Sequence, residues 1–175
     1  SANSLLFDTE VVGLEVYRRA GTGGKWVKTH DDYLDGVYYS YGYYFGHLKV
    51  SPHDPEQLFV LGVPVLRSDD GGAKWKGINA ANVHSDHHSL WIDPNDSEHL
   101  YLAGDAGLHE SYDGGTNFQR INNFPIAQFY ALAVDMRDPY WVYGGLQDNH
   151  SFMGPSQTRR WAGILNDDWM QSGFG

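Results

Sequence analysis

The residues of this 175-residue chain best suited to chemistry sit in three stretches: His84-Ser85-Asp86-His87-His88, Gly104-Asp105 and Gln147-Asp148-Asn149-His150. Imidazole titrates near neutrality, and carboxylates can act as acid, base or nucleophile. A glycosidase needs two carboxylates flanking a bond, which makes Asp86, Asp105 and Asp148 candidate catalytic groups. Alternate residues of an extended segment share a face, so His84, Asp86 and His88 are also a candidate site for zinc, copper, nickel or iron. A third reading is a polar network in which crowded His and Asp side chains satisfy one another. His84, His87, His88, Gln147, Asn149 and His150 are then candidate ligand-binding residues, and the three readings stay open. The run Val37 to Phe45 adds Tyr41, Tyr43 and Tyr44 as a stacking platform for sugar rings or a protein hot spot, with packing between neighbouring repeats as the alternative.

Something must bring these stretches together, and an internal repeat does. Val50-Ser51-Pro52-His53-Asp54-Pro55, Ile92-Asp93-Pro94-Asn95-Asp96-Ser97 and Val134-Asp135-Met136-Arg137-Asp138-Pro139 align at an offset of 42 residues. The same offset pairs Leu48 with Leu90 and Leu132, and Leu58 with Leu100 and Val142. Each unit reads as four short strands, each run rich in β-formers and ending in an Asp, Pro or Gly turn. No 3.6-residue stripe with caps persists, so no helix of useful length is expected. Four strands in a unit of about 40–45 residues is the signature of a propeller blade. The predicted fold is all-β, a β-propeller of four-stranded antiparallel blades. Residues 1–32 form a partial blade, 33–79, 80–123 and 124–165 form three more, and 166–175 supply the first strand of a following or closing blade. In such a fold the loops before first strands and between second and third strands share one rim of the channel, where the three polar stretches converge.

Ser68-Asp69-Asp70-Gly71-Gly72-Ala73-Lys74-Trp75 and Ser111-Tyr112-Asp113-Gly114-Gly115-Thr116-Asn117-Phe118 share a Ser-x-Asp-x-Gly-x-x-aromatic turn, and Arg19 to Trp26 is a degenerate copy. A short carboxylate binds its own turn's amides, glycine supplies positive φ, and the aromatic fills the space between blades. Ser68, Asp70, Gly72, Trp75, Ser111, Asp113, Gly115 and Phe118 are therefore expected to be structural. The turn resembles the Asp-box of the BNR repeat family. With Tyr41 to Gly46, Asp86 to Pro94 and Gly144 to Asn149, the chain looks like the bacterial sortilin/xyloglucanase-like branch of that family. The resemblance covers nearly the whole chain. It implies export to the periplasm or beyond the cell and leaves the activity open, while the blade count makes the chain part of a larger propeller of about six to eight blades.

Composition narrows the partners. The formal charge is -10, from 22 Asp and Glu against 12 Lys and Arg. That balance argues against nucleic acid or an anionic membrane as the main partner. No apolar run approaches the roughly 20 residues of a spanning helix, and no basic segment followed by an apolar one suggests a retained secretion signal. Absence of Cys removes thiol catalysis and thiolate ligands. Arg159 and Arg160 are adjacent and face opposite ways on a strand, so they cannot build a sialidase clamp. No nucleophile elbow, P-loop or dinucleotide fingerprint occurs. The expectation is a binding or scaffold module for a protein or saccharide, with a glycoside hydrolase as first alternative and a divalent-metal site as second. No cofactor is required. About four blades leave blade faces open, so a protein partner or further blades are expected to cover the ends.

Overall fold

The computed structural model of the chain describes residues 13–38, 42–78, 82–121, 127–147 and 150–173. The strands are β1 (Tyr17–Arg19), β2 (Trp26–Lys28), β3 (His47–Val50), β4 (Leu58–Leu61), β5 (Val65–Ser68), β6 (Lys76–Gly77) and β7 (His87–Asp93). They continue with β8 (Asp96–Gly104), β9 (Gly107–Ser111), β10 (Gln119–Ile121), β11 (Phe129–Val134), β12 (Trp141–Leu146), β13 (Ser151–Pro155) and β14 (Met170–Gly173). They form a two-stranded sheet, β1–β2, and three four-stranded antiparallel meanders in sequence order, β3 to β6, β7 to β10 and β11 to β14. The architecture is all-β. Among the described residues no helix is long and apolar enough to cross a membrane.

The chain divides into two compact units, Ser1–Asn122 and Asn123–Gly175. In the first, β4 explains the core. Leu58, Phe59, Val60 and Leu61 are all buried because both faces of the strand are covered. Phe59 and Leu61, with Val65, pack against Leu90, Ile92, Leu100, Leu102 and Phe118 of the next sheet. Val60 points the other way, into a cluster with Val16 and Val37. On β7 only one face is covered, so Leu90 and Ile92 are buried while Ser89 and Trp91 are exposed. Burying each of these large side chains contributes about 1.5–3 kcal/mol, so this inter-sheet seam is the main cohesion of the unit.

The two Ser-x-Asp turns follow the sequence expectation closely. Gly71, Gly72, Gly114 and Gly115 all have positive φ, between 65° and 93°. The Ser68 hydroxyl donates to Asp70 Oδ1 (2.9 Å) and accepts from the Gly72 amide (2.9 Å), while Asp70 Oδ1 also accepts from the Lys74 amide (2.8 Å). Ser111, Asp113, Gly115 and Asn117 repeat the pattern. Trp75 Nε1 donates to the Gly72 carbonyl (2.8 Å), and Phe118 is buried in the seam. The carboxylates are spent on their own turns. The turns are also tied to the neighbouring hairpins, since the Gly71 amide donates to the Glu56 carbonyl (2.8 Å) and the Gly114 amide to that of Glu98 (2.9 Å).

In the second unit one sequence expectation is corrected. The tail expected to supply the first strand of a further blade, described through residue 173, does not begin a further sheet. β14 pairs antiparallel with β13, Met153 opposite Met170 and Phe152 opposite Gln171, and so completes the sheet begun by β11. The stretch around Trp161, which the bounds 124–165 put at the end of that blade, is a closed turn. Gly163 has φ 75°, its amide donates to the Arg160 carbonyl (3.1 Å), and its own carbonyl accepts from the Thr158 hydroxyl (3.0 Å). Trp161 is fully exposed. The aromatic that packs on this sheet is Trp169, whose ring lies where a side chain on Gly154 would stand, 2.7 Å from its would-be Cβ.

Candidate functional site

The rim loops of the first unit are braced by backbone hydrogen bonds. The Val63 amide donates to the Val37 carbonyl (2.7 Å), Asp86 to Val63 (3.2 Å), His87 to Gly62 (2.8 Å) and Asp105 to Asp86 (3.1 Å). This chain of contacts joins the loop before β3, the β4–β5 turn, the loop before β7 and the β8–β9 turn. It requires close approach of backbones. A Cβ on Gly62 would meet the Val37 carbonyl oxygen at 2.1 Å, and one on Gly104 the Asp86 carbonyl oxygen at 2.4 Å.

On this brace sits His88. The register of β7 against β8 skips it, His87 pairing with Gly104 and Ser89 with Ala103, so His88 is the extra residue of a β-bulge. A bulge re-aims its side chain, and His88 turns toward the loop before β3. Its ring stacks on Phe45 (5.4 Å between centroids, 15° between planes) and meets Tyr44 edge-on (4.7 Å, 65°). His88 Nε2 lies 2.9 Å from Asp105 Oδ1, with both side chains about a quarter exposed. Tyr43 follows at 6.3 Å from Tyr44 and is 85% exposed, so the aromatic end of the site opens to solvent. The result is a polar pair walled on one side by aromatic rings.

His87, next along β7, has a different character. It is 2% exposed, and burial, reinforced by His109, His84 and His88, lowers its pKa to about 4. His109 on β9 is also buried and its pKa is lowered, first by burial and then by Arg120 and His84. Both are neutral packing groups beneath the rim. His84 Nδ1 lies 2.8 Å from the Ser85 carbonyl, and Asp86 Oδ2 accepts from the Ser85 hydroxyl (3.1 Å).

Of the residues singled out in the sequence, the first unit thus gathers His84, Asp86, His87, His88, Asp105, Tyr43 and Tyr44. Gln147 and His150 belong to the second unit. There the Gln147 amide donates to the Gln128 carbonyl (3.3 Å), and His150 has φ 71° and accepts through its carbonyl from the Leu146 amide (3.0 Å). Tyr41, Asp148 and Asn149 lie outside the described residues. Among those described, no three His, Asp or Glu side chains stand together as metal ligands. The alternation that would gather His84, Asp86 and His88 fails for two reasons: Asp86 has φ 70°, which breaks the extended run, and His88 is bulged.

Comparison with solved structures places this geometry. The GH74 enzyme of Niastella koreensis superposes with a TM-score of 0.53 at 14% identity, over 90% of this chain and 25% of that one. The fold is that of a β-propeller. The chain spans about a quarter of the length of that relative. YCF48 bound to D1 peptide (TM-score 0.47, 15% identity, 85% and 46% covered) and the GH74 xyloglucanase of Xanthomonas campestris (0.41, 16%, 75% and 23%) are also similar. No protein-family model matches the chain, and no curated protein matches its sequence.

In propeller terms the bulge repeats from blade to blade. Tyr130, 42 residues after His88, is skipped in the same way between Phe129 and Ala131 of β11. Gly46, 42 residues before it, stands just ahead of β3 with φ 88°. One backbone position therefore carries no side chain, an imidazole and a phenol in three successive blades. Phe45, the ring on which His88 stacks, closes the aromatic run Val37 to Phe45 and lies 42 residues before His87. What escaped was the bulge itself, whose only signal is this change of residue type at a fixed place in the repeat.

Proposed function

We propose that this chain is a binding module of a bacterial β-propeller, acting outside the cytoplasm, that holds a saccharide against Tyr43 and Tyr44 with the His88–Asp105 pair supplying directional hydrogen bonds. The observation that carries this reading is the His88 ring, stacked on Phe45, edge-on to Tyr44 and hydrogen-bonded to Asp105. Sugar rings present apolar faces and polar edges, which suits an exposed aromatic surface beside a fixed polar pair. The export assignment follows the resemblance of the repeats.

Binding is favoured over hydrolysis by how the carboxylates are used. Asp105 is held by His88, Asp86 by the Ser85 hydroxyl, and Asp86 and Asp105 are joined through their backbones. Calorimetry with a panel of soluble oligosaccharides should find a ligand whose affinity falls about 10-fold or more (~1.4 kcal/mol) in Tyr44→Ala and in Asp105→Asn, with melting unchanged. Turnover of that ligand by the wild-type chain, lost in Asp105→Asn or Asp86→Asn, would replace the binding reading by hydrolysis. Absence of saccharide binding beside a stoichiometric protein partner sensitive to Tyr44→Ala would replace the saccharide by a protein.

A further inference from the structure

A second cluster lies at the opposite end of the strands β7 to β9, away from the rim. Its origin is legible from the repeat. Arg18, Arg67 and Glu110 occupy the same place, one residue before the position of the turn serine. Arg18 reaches the next sheet and grips the Glu56 carboxylate with both terminal nitrogens (2.6 and 2.5 Å). Arg67 likewise donates to the Gly114 carbonyl (2.8 Å) and lies over the Phe59 ring (5.8 Å). In the third copy the cation is replaced by a carboxylate.

Glu110 finds its partners within its own sheet. Its Oε1 accepts from His99 Nε2 (3.0 Å), from the Tyr101 hydroxyl (2.5 Å) and from the Tyr112 hydroxyl (2.8 Å). The other ring nitrogen of His99, Nδ1, lies 3.3 Å from Asp93 Oδ2. The imidazole is stacked on Tyr112 (4.5 Å, 2°) and stands edge-on to Tyr101 (5.0 Å, 61°) and Trp91 (5.9 Å, 88°). One side chain of β8 thereby touches the inner strand β7 through Trp91 and Asp93, the third strand β9 through Glu110, and the Ser-x-Asp turn through Tyr112.

An ionised carboxylate only accepts hydrogen bonds, and a neutral imidazole has a single N–H. With a carboxylate at each ring nitrogen, only the imidazolium satisfies both. We infer that His99 is a proton-operated latch, closed as imidazolium between Asp93 and Glu110 and released as the pH rises, freeing Tyr112 from its place against the imidazole. The Arg18 and Arg67 clamps lack this property because arginine stays charged at every physiological pH. The groups facing His99 are Asp93 from β7, Tyr101 from β8, Glu110 from β9, and Tyr112 from the turn. The carboxylate of Glu110, and less so that of Asp93, raises the proton affinity of His99 against the opposing effect of burial. A histidine raised in the folded state contributes stability that is complete below its unfolded value. That contribution is lost as pH rises through the folded value.

The test is a proton–carbon correlation NMR titration of the intact chain, with His99→Gln to assign the His99 signals. The expected result is a His99 midpoint that shifts down in Glu110→Gln and less so in Asp93→Asn. Tyr112 ring resonances should move through the same midpoint in the wild type. The fluorescence assigned to Trp91 by difference from Trp91→Phe should do so too, since imidazolium and neutral imidazole perturb an adjacent indole differently. The wild-type measurement needs no variant to fold. A midpoint unmoved by Glu110→Gln overturns the latch, as does a His99 titration during which Tyr112 and Trp91 are silent.

Discussion

The histidines of the blade β7 to β10 show how environment alone assigns opposite roles to one residue type. His99 faces two carboxylates that raise its proton affinity, whereas His87, on the adjacent inner strand, is buried near other histidines and its pKa is lowered to about 4. Their contributions to stability therefore have opposite signs in pH. For His87 the folded value, about 4, lies below the unfolded value of 6.5, so the folded state binds fewer protons in that interval. Stability from this group is complete above the unfolded value and is lost as pH falls toward the folded one, a change of roughly 3 kcal/mol over the whole interval. His109 acts in the same direction. Urea unfolding of the chain between pH 6.5 and pH 4 should show this loss, and His87→Gln, which cannot be charged, should flatten the slope. An unchanged slope in His87→Gln would mean that His87 is not neutral beneath the rim.

At the scale of elements, the rim depends on backbones that touch, and glycine is what permits it. Gly104 pairs with His87 across the sheet and precedes Asp105, whose amide donates to the Asp86 carbonyl. In Gly104→Ala the new Cβ would lie 2.4 Å from that carbonyl oxygen and 3.3 Å from the His87 Cα, so backbone must move. The expected outcome is a destabilisation of about 1–3 kcal/mol together with loss of the oligosaccharide binding assigned to His88 and Asp105. Gly77→Ala, with nothing within 4 Å of the added atom, should leave both unchanged. Urea melts and calorimetry on the two variants check this. These elements were largely readable beforehand. Leu48, Leu90 and Leu132 recur at one offset because each first strand carries the same apolar face, which on β7 packs against the preceding sheet, and Asp70 and Asp113 recur because the turn needs a carboxylate beside glycine. The bulge at His88 and the left-handed Asp86 were not readable, because the bulged residue stands beside a second histidine and residue type does not tell which of the two the register skips. The strand at Met170–Gly173 was expected, but as the start of another blade and not as the outer strand of this one. Trp161 carried the expected aromatic at nearly the expected spacing, yet a glycine two residues later closed that segment into a turn.

At the scale of the whole molecule, the repeat predicts which surfaces expect company. Leu90 and Ile92 of β7 are buried against Phe59 and Leu61, the second strand of the preceding blade. Leu132 and Val134 occupy the same two positions on β11, beside Tyr130, and within their own unit no element covers them. A strand with this pattern is apolar on the face that β7 buries, and such a patch drives association. The net charge of -10 opposes it, because like-charged molecules repel at low ionic strength. Salt screens that repulsion, shortening the Debye length to about 8 Å at 0.15 M, and leaves the apolar attraction in place. Self-association of the chain should therefore strengthen as salt is raised, the reverse of an interface built on ion pairs. Sedimentation velocity over a range of protein and salt concentrations measures it. Leu132→Lys with Val134→Lys should abolish the salt-driven species and leave the melting of the first unit as it was. A chain that stays monomeric at high salt, or an association that salt weakens, would show that the face of β11 is not the surface in play.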